Sequence, residues 1–205
     1  MKLLLKSLLL VGVFFSCNKN TSPPSIKGPV EVNQNGDTSY YTIPPFSFAN
    51  QHNQTVTNQT VDGHIYLADF FFTSCHSICP LMNKNLSMVY EKFKENKSVR
   101  FLSHTLDPEV DTPEVLLNYA KGLGVDNDQW DFVTGPEDEI YKLAGKEGYF
   151  ITAVKDSSAM DGINHSGYVI LVDKKGHIRD HYDLTDAKNI EPLIRDVNLL
   201  LHEED

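Results

Sequence analysis

Two cysteines stand four residues apart in Cys75-His76-Ser77-Ile78-Cys79-Pro80, where a long apolar run gives way to a helix-patterned segment. Residues i and i+4 share one face of a helical turn, so the spacing predicts two sulfurs pointing the same way. The N–H groups and dipole of a first turn favour thiolate over thiol. Thiolates are both redox nucleophiles and soft metal ligands. Thr73 and Ser74 are candidate caps for this turn, and Pro80 is tolerated early in a helix. Two bland readings compete. An inert disulfide would close a very small loop, the kind that contributes least in the loop-entropy picture. Buried spectator cysteines would be oddly placed, because strand-to-helix junctions of open α/β sheets are where ligands bind. Three intervening residues, against the two of common dithiol oxidoreductases, leave the sulfurs compatible with one metal between them.

Two thiolates do not complete a copper or zinc site, and the chain offers eight histidines. His76 lies between the cysteines and is expected to face away from them. His52, His64, His177, His181 and His202 read as surface, turn or terminal residues, and His104 as a strand residue. His165 is different. It lies in Asp161-Gly-Ile-Asn-His-Ser-Gly167, a loop directly before a predicted strand, and in a thioredoxin-like sheet that loop returns beside the cysteine turn. The residues alone leave His76 and His165 both open as a third ligand; with either, two thiolates and an imidazole would make a soft, roughly trigonal set suited to Cu(I) and able to accept Cu(II). Zinc would want a fourth ligand or a water. An oxidised Cys75–Cys79 pair could not hold metal in this way, so metal binding and redox state are coupled.

The elements that must position these residues follow from the apolar pattern. Residues 44–48 and 55–57 read as a short opening hairpin. Residues 64–72 are a nearly continuous apolar and aromatic run, suited to a central strand buried on both faces. Apolar residues at 81, 82, 86, 89, 90 and 93 have helical spacing. A strand is predicted over 99–105. Thr112-Pro113-Glu114 is a helix start, with a hydroxyl cap, a proline at the first helical position and an acid in the first turn. Then come a strand over 130–134, a helix over 136–144 and a strand over 149–154. Residues 168–172 and 178–182 form a hairpin around Asp173-Lys-Lys-Gly176. A closing helix spans 186–201, its regular part delayed by Pro192. Strands alternating with helices predict an α/β fold, a partly parallel mixed sheet flanked by helices on both faces. The late antiparallel hairpin and last helix are compatible with a thioredoxin-like domain.

Composition narrows the function. The chain has 205 residues, 40% hydrophobic, with 18 basic and 28 acidic residues and a net charge of −10. That is one or at most two domains, with enough chain for a sizeable core. The acidic balance argues against nucleic-acid binding, which needs clustered positive charge. It could complement a basic patch on a partner or serve solubility alone. Three cysteines are too few for a disulfide scaffold.

The first seventeen residues, MKLLLKSLLLVGVFFSC, read as an export signal: Lys2 and Lys6, then an apolar stretch short for a membrane span. No small-x-small cleavage site follows. The stretch runs into Phe15-Ser16-Cys17, which resembles a bacterial lipobox, with Phe14 where leucine is usual. The expected division is a lipoprotein signal over 1–16, a lipidated Cys17 with a flexible tether over 17–40, and a domain over 41–205. An uncleaved anchor is the alternative, and both place the domain outside the cytoplasm.

Three motifs, Phe70-Phe-Phe-Thr-Ser-Cys-His-Ser-Ile-Cys-Pro80, Leu106-Asp-Pro-Glu-Val-Asp-Thr-Pro-Glu114 and Asn164-His165-Ser166 before Gly-Tyr-Val-Ile-Leu-Val-Asp173, resemble the Sco/SenC family in order and spacing. The resemblance runs from about residue 46 to the C-terminus. It implies a thioredoxin-like fold and one copper per chain held by Cys75, Cys79 and His165. It also implies membrane tethering on the non-cytoplasmic (periplasmic) side of a bacterial envelope. The implied role is assembly of the binuclear copper site of cytochrome c oxidase, by copper delivery, by reduction of the target's cysteines, or both. Expected partners are the oxidase copper-site subunit, other copper chaperones and thiol reductants. Asp107 resembles an acidic position near the family site. Asn164 replaces the aspartate that many members carry before the histidine. The competing reading is an enzyme using the Cys75–Cys79 pair as a redox disulfide: a thiol–disulfide oxidoreductase or, less fittingly, a thiol peroxidase.

Overall fold

The computed structural model describes residues 22–203. Seven strands form the main sheet, in the order β11-β10-β5-β6-β7-β3-β4. At its centre lie three parallel strands: β5 (Ile65–Phe71), β6 (Val99–Thr105) and β7 (Trp130–Thr134). Every residue of β5 and β7 is buried, as expected for strands covered on both faces. β10 (Tyr168–Val172) pairs antiparallel with β5 and forms a hairpin with β11 (Ile178–Asp183). On the other edge β3 (Ser47–Asn50) pairs antiparallel with β7 and with β4 (Thr55–Thr57). A single helical turn, α1 (Asn58–Val61), follows β4.

The helices bear out the local signals. α2 (Cys79–Phe93) buries Met82, Leu86, Val89, Tyr90 and Phe93 and leaves Leu81 exposed. α3 (Pro113–Gly122) begins at Thr112, whose hydroxyl accepts from the Val115 N–H. This satisfies one of the first-turn donors. α4 (Glu137–Ala144) places three acids in its first turn, where they complement the dipole. The last helix, α5 (Ile190–Leu201), follows a separate 3-10 turn over Ala187–Asn189. This central mixed sheet flanked by helices is the thioredoxin-like α/β fold that the sequence predicts.

Three local expectations are corrected. The strand expected over 149–154 does not join the sheet. The N–H groups of Tyr149, Phe150 and Ile151 donate to the carbonyls of Leu143, Gly145 and Ala144. They close the C-terminus of α4 and are unavailable to a ladder. Phe150 turns the chain with φ +57°, off any extended path. The second correction concerns the loop around His165. Its middle, β9 (Ile163–His165), pairs with β8 (Ala153–Lys155) as a separate two-stranded ribbon.

The third correction is the segment read as a flexible tether. β1 (Val30–Val32) and β2 (Thr38–Tyr40) form a small ribbon, and the chain around it is docked on the domain. The Lys27 N–H donates to the Ile178 carbonyl at 2.7 Å and the Ile43 N–H to the Gly176 carbonyl at 3.1 Å. The Arg179 Nε donates to the Pro24 carbonyl, and its other nitrogens bind Asp173 and Glu203. Docking through main-chain donors leaves little trace in residue type, so composition alone read this stretch as unattached. These contacts lie where β11 begins. The cysteines follow the far end of β5, about seven strand residues away, or roughly 20 Å. Among the described residues, no helix is long and apolar enough to cross a membrane.

Candidate metal centre

Cys75, Cys79 and His165 converge at the carboxyl ends of the parallel strands. Their ligand atoms all lie within 4.8 Å of one another, and all three residues are buried. This is the switch-point side of the sheet, where open α/β folds bind ligands. The two cysteines do not share a helical face. Cys79 is the first residue of α2, whereas Cys75 lies in the turn before it, its N–H donating to the Phe72 carbonyl. The loop between them, rather than helical periodicity, brings the sulfurs together. Both are free thiols.

His165 is oriented from two sides. Its Nδ1 lies 3.1 Å from the Ser166 carbonyl and donates to it. That leaves the Nε2 lone pair facing Cys79 Sγ at 3.3 Å. Fixing one ring nitrogen on a carbonyl is how proteins present the other to a metal. Phe72 packs edge-on against the ring at 5.6 Å. Alternation along β9 turns the exposed Asn164 away from the site as it turns His165 inward.

The sulfurs are not equivalent. Cys79 Sγ lies within 4.8 Å of Cys75 Sγ, and the hydroxyl of Ser77 lies 3.4 Å from it. The adjacent Cys79 thiol above all, with the Ser77 hydroxyl, holds the Cys75 thiol far below its ordinary range, against the upward push of burial. The Cys75 thiolate and burial push Cys79 the other way. Of the two, Cys75 loses its proton first. A soft, buried S, S, N donor set fits a Cu(I)-sized soft cation. The buried Ser166 Oγ beside it has no hydrogen-bond partner.

The frame around the cysteines contains two acids that sequence reasoning passed over. Asp111 is fully buried; one carboxylate oxygen accepts the Thr73 N–H at 3.0 Å and the Thr105 hydroxyl at 2.5 Å, and the other accepts the Thr73 hydroxyl. It ties the cysteine loop to the end of β6. Thr73 is therefore spent on Asp111 and does not cap α2, which has no side-chain cap. Asp107 shapes the same loop through its main chain, its carbonyl accepting from Val110 and Asp111. Burial and the nearby Asp111 push its carboxyl up. Its carboxylate makes no hydrogen bond to the Cys75, Cys79 and His165 group.

The second acid, Asp69, stands in the middle of β5. One oxygen accepts the Ser103 hydroxyl; the other is buried with no partner. Burial pushes this carboxyl up to about 7, against the pull of Ser103 and His165. The signal was a lone acid inside an otherwise apolar run.

The remaining histidines stay outside the site. His104 is a neutral core residue, stacked on Phe70 at 4.6 Å, with burial pushing its pKa down to about 3. His177 lies against Asp173, and His181 Nε2 meets the Tyr149 carbonyl. His76 faces solvent, as expected. Cys17, the expected lipidation site, lies outside the described residues.

The fold and this group define a thioredoxin-like domain whose dithiol turn is completed by a late histidine. The profile of the SCO1/SenC family matches residues 34–202. A SCO1 protein homolog of Bacillus subtilis is 34% identical over 163 residues, 78% of this chain and 83% of that one. Two solved structures superpose well. A SCO1/SenC family lipoprotein from Bacillus anthracis has a TM-score of 0.72 at 27% identity, covering 79% of this chain and 96% of that one. BsSco, described as a member of the Sco family of cytochrome c oxidase assembly proteins with a disulfide switch, has a TM-score of 0.67 at 31% identity, covering 80% and 95%. The chain belongs to the SCO1/SenC family.

Proposed function

We propose that this protein binds one copper ion through Cys75 Sγ, Cys79 Sγ and His165 Nε2, and serves assembly of the copper site of cytochrome c oxidase. The observation that carries this reading is the convergence of two thiols and an oriented imidazole in one buried group. Copper is the cargo, and the chain's own residues decide how it is held. Ser166 fixes the imidazole, Asp111 fixes the loop bearing Cys75, and the first turn of α2 presents Cys79. Binding displaces thiol protons, so retention weakens as pH falls. The membrane expectations complete the proposal: a signal over 1–16, a lipid on Cys17, and the domain held on the non-cytoplasmic side. The partner is the oxidase subunit that receives the metal. The likeness to BsSco, a member of the Sco family of cytochrome c oxidase assembly proteins, and to the B. anthracis SCO1/SenC family lipoprotein supports this reading.

A second reading is favoured by the unequal thiols. A Cys75 whose thiol is lowered, beside a Cys79 whose thiol is raised, is the arrangement of a thiol–disulfide oxidoreductase. One set of variants separates the two. The full chain is reduced, loaded with Cu(I) and challenged with a competing chelator, and its thiol–disulfide exchange is measured in parallel. Copper delivery predicts that His165→Ala loses copper retention. An oxidoreductase predicts that His165→Ala keeps exchange activity, that Cys75→Ser and Cys79→Ser abolish it, and that the wild type retains no copper.

A further inference from the structure

The β1–β2 ribbon presents an apolar face that the described residues leave open. Val30 pairs with Tyr40 and Val32 with Thr38, so alternation puts Val30, Val32 and Tyr40 on one face and Glu31 and Ser39 on the other. Val30 is 51% exposed, Val32 66% and Tyr40 44%. A single exposed valine is ordinary, but apolar residues grouped on one face of so short an element point to a contact.

The ribbon is seated on the domain. The Tyr41 N–H closes its base on the Pro29 carbonyl at 3.1 Å, and the Tyr40 ring meets the His177 ring edge-on at 5.8 Å. With the main-chain bonds of Lys27 to Ile178 and Ile43 to Gly176, these contacts hold it beside the turn between β10 and β11. That turn lies at the amino end of β5, because Val172 pairs with Tyr66. Cys75, Cys79 and His165 lie at the opposite end of the sheet.

Two observations say what covers this face. The first is where the chain leads. Pro24 is fixed by Arg179 at 2.7 Å, and Cys17 stands seven residues before it. Seven residues span at most about 25 Å, so a lipid on Cys17 brings the bilayer to this end of the domain. The second is charge. Lys27 leads into the ribbon, and a cleft of about 320 Å³ beside Tyr40 is lined by Ile26, Leu200, Lys174 and Lys175. Asp173 and Glu203 also line it, but both are paired with Arg179. Apolar side chains with lysines around them suit the boundary between anionic headgroups and acyl chains.

We propose that the β1–β2 ribbon rests on an anionic bilayer, with Val30, Val32 and Tyr40 at the headgroup–acyl boundary and Lys27, Lys174 and Lys175 among the phosphates. The proposal rests on the reading of Cys17 as the lipid carrier. Its consequence is orientation. The amino end of the sheet faces the membrane, and the metal centre faces away from it beyond the length of β5, roughly 20 Å.

The test uses the full chain in vesicles of phosphatidylglycerol and a phosphatidylcholine brominated near the top of its acyl chains, since bromine quenches a tryptophan that reaches that depth. The native Trp130 is fully buried and supplies an unquenched background. Val32→Trp should lose emission, whereas Val154→Trp, at an exposed position of the ribbon that bears His165, should not. Adding Val30→Asp to Val32→Trp should restore the emission, which nearness to the anchor alone would not do. Replacing phosphatidylglycerol by neutral lipid should weaken the quenching. Equal quenching at positions 32 and 154, or quenching at 32 untouched by Val30→Asp and by neutral lipid, overturns the proposal. A vesicle-bound chain with no quenching at 32 overturns the ribbon contact and leaves the tether reading standing. A wild-type chain left in solution when the vesicles are sedimented overturns both.

Discussion

Asp111→Ala should loosen the metal centre without touching any of its three donors. In the native chain the buried carboxylate takes two hydrogen bonds from Thr73 and one from Thr105. Alanine leaves the Thr73 N–H and two hydroxyls without their acceptor. A buried donor left unsatisfied costs about 1–3 kcal/mol. The hydroxyls can rotate toward other acceptors, but the N–H is fixed. The expected loss is about 3–4 kcal/mol of stability. Because Thr73 precedes Cys75 by two residues, copper retention should also fall by about 10–100-fold, as when a group orienting a ligand is removed. Asp111→Asn is the informative control. With its oxygen toward the Thr73 N–H and Thr105 and its NH2 toward the Thr73 hydroxyl, asparagine keeps all three contacts and loses only charge assistance. It should cost about 1 kcal/mol. Urea unfolding of the metal-free protein gives the first quantity and Cu(I) competition against a chelator the second. Wild-type retention in Asp111→Ala would refute the brace, and equal losses in the two variants would refute the hydrogen-bond reasoning.

Other perturbations test separate parts of the account. Asp69 has its folded pKa raised to about 7, above its unfolded value of about 3.9. Between those values the folded state keeps a proton that the unfolded chain has released, so stability falls as pH rises through that window. Asp69→Asn should flatten the stability profile between pH 4 and 7, by on the order of 4 kcal/mol at most; a variant profile with the wild-type slope contradicts this. A Cβ at Gly148 would lie 1.7 Å from the Leu143 carbonyl oxygen. Gly148→Ala should therefore destabilise by about 3 kcal/mol, the upper end of overpacking, read as a lowered urea midpoint. Arg179→Met takes the guanidinium from the buried Asp173 carboxylate, which keeps the Lys175 and His177 N–H groups, and frees Pro24. It should cost about 3 kcal/mol, the low end for a broken buried pair, and expose the Lys27–Gly28 bond to trypsin. Unchanged cleavage there would show that the N-terminal segment is held by other contacts.

Much of this architecture was legible because the signals were local. The buried run at β5, the Thr112-Pro113 start of α3 and the turn at Asp173-Lys-Lys-Gly176 each carry their own chemistry, and each fell where the pattern placed it. The two cysteines were legible for a different reason, since soft ligand types are rare; His165 was one histidine among eight, and only the resemblance to a family singled it out. What stayed hidden depends on long-range pairing. The ribbon of β8 and β9 is written in turn-forming residues, Asp161-Gly162 and Ser166-Gly167, that mask a three-residue strand. Asp111 reads as one acid among several in its loop, and only folding shows which of them meets Thr73. The docking of residues 24–43 runs through carbonyls and N–H groups, which every residue shares. The cysteines came together by a loop, where periodicity argued for a helix; the conclusion survived because a four-residue spacing permits both.

The central claim is that one soft cation is held by two sulfurs and one imidazole. The most direct measurement is copper K-edge X-ray absorption on the full chain, reduced, loaded with Cu(I) and freed of excess by a chelator, with the metal content determined on the same sample. The account predicts one copper per chain, two sulfur scatterers and one nitrogen, the nitrogen vanishing in His165→Ala and a sulfur in Cys75→Ala. No retained copper, or a first shell unchanged by removal of His165, would contradict it.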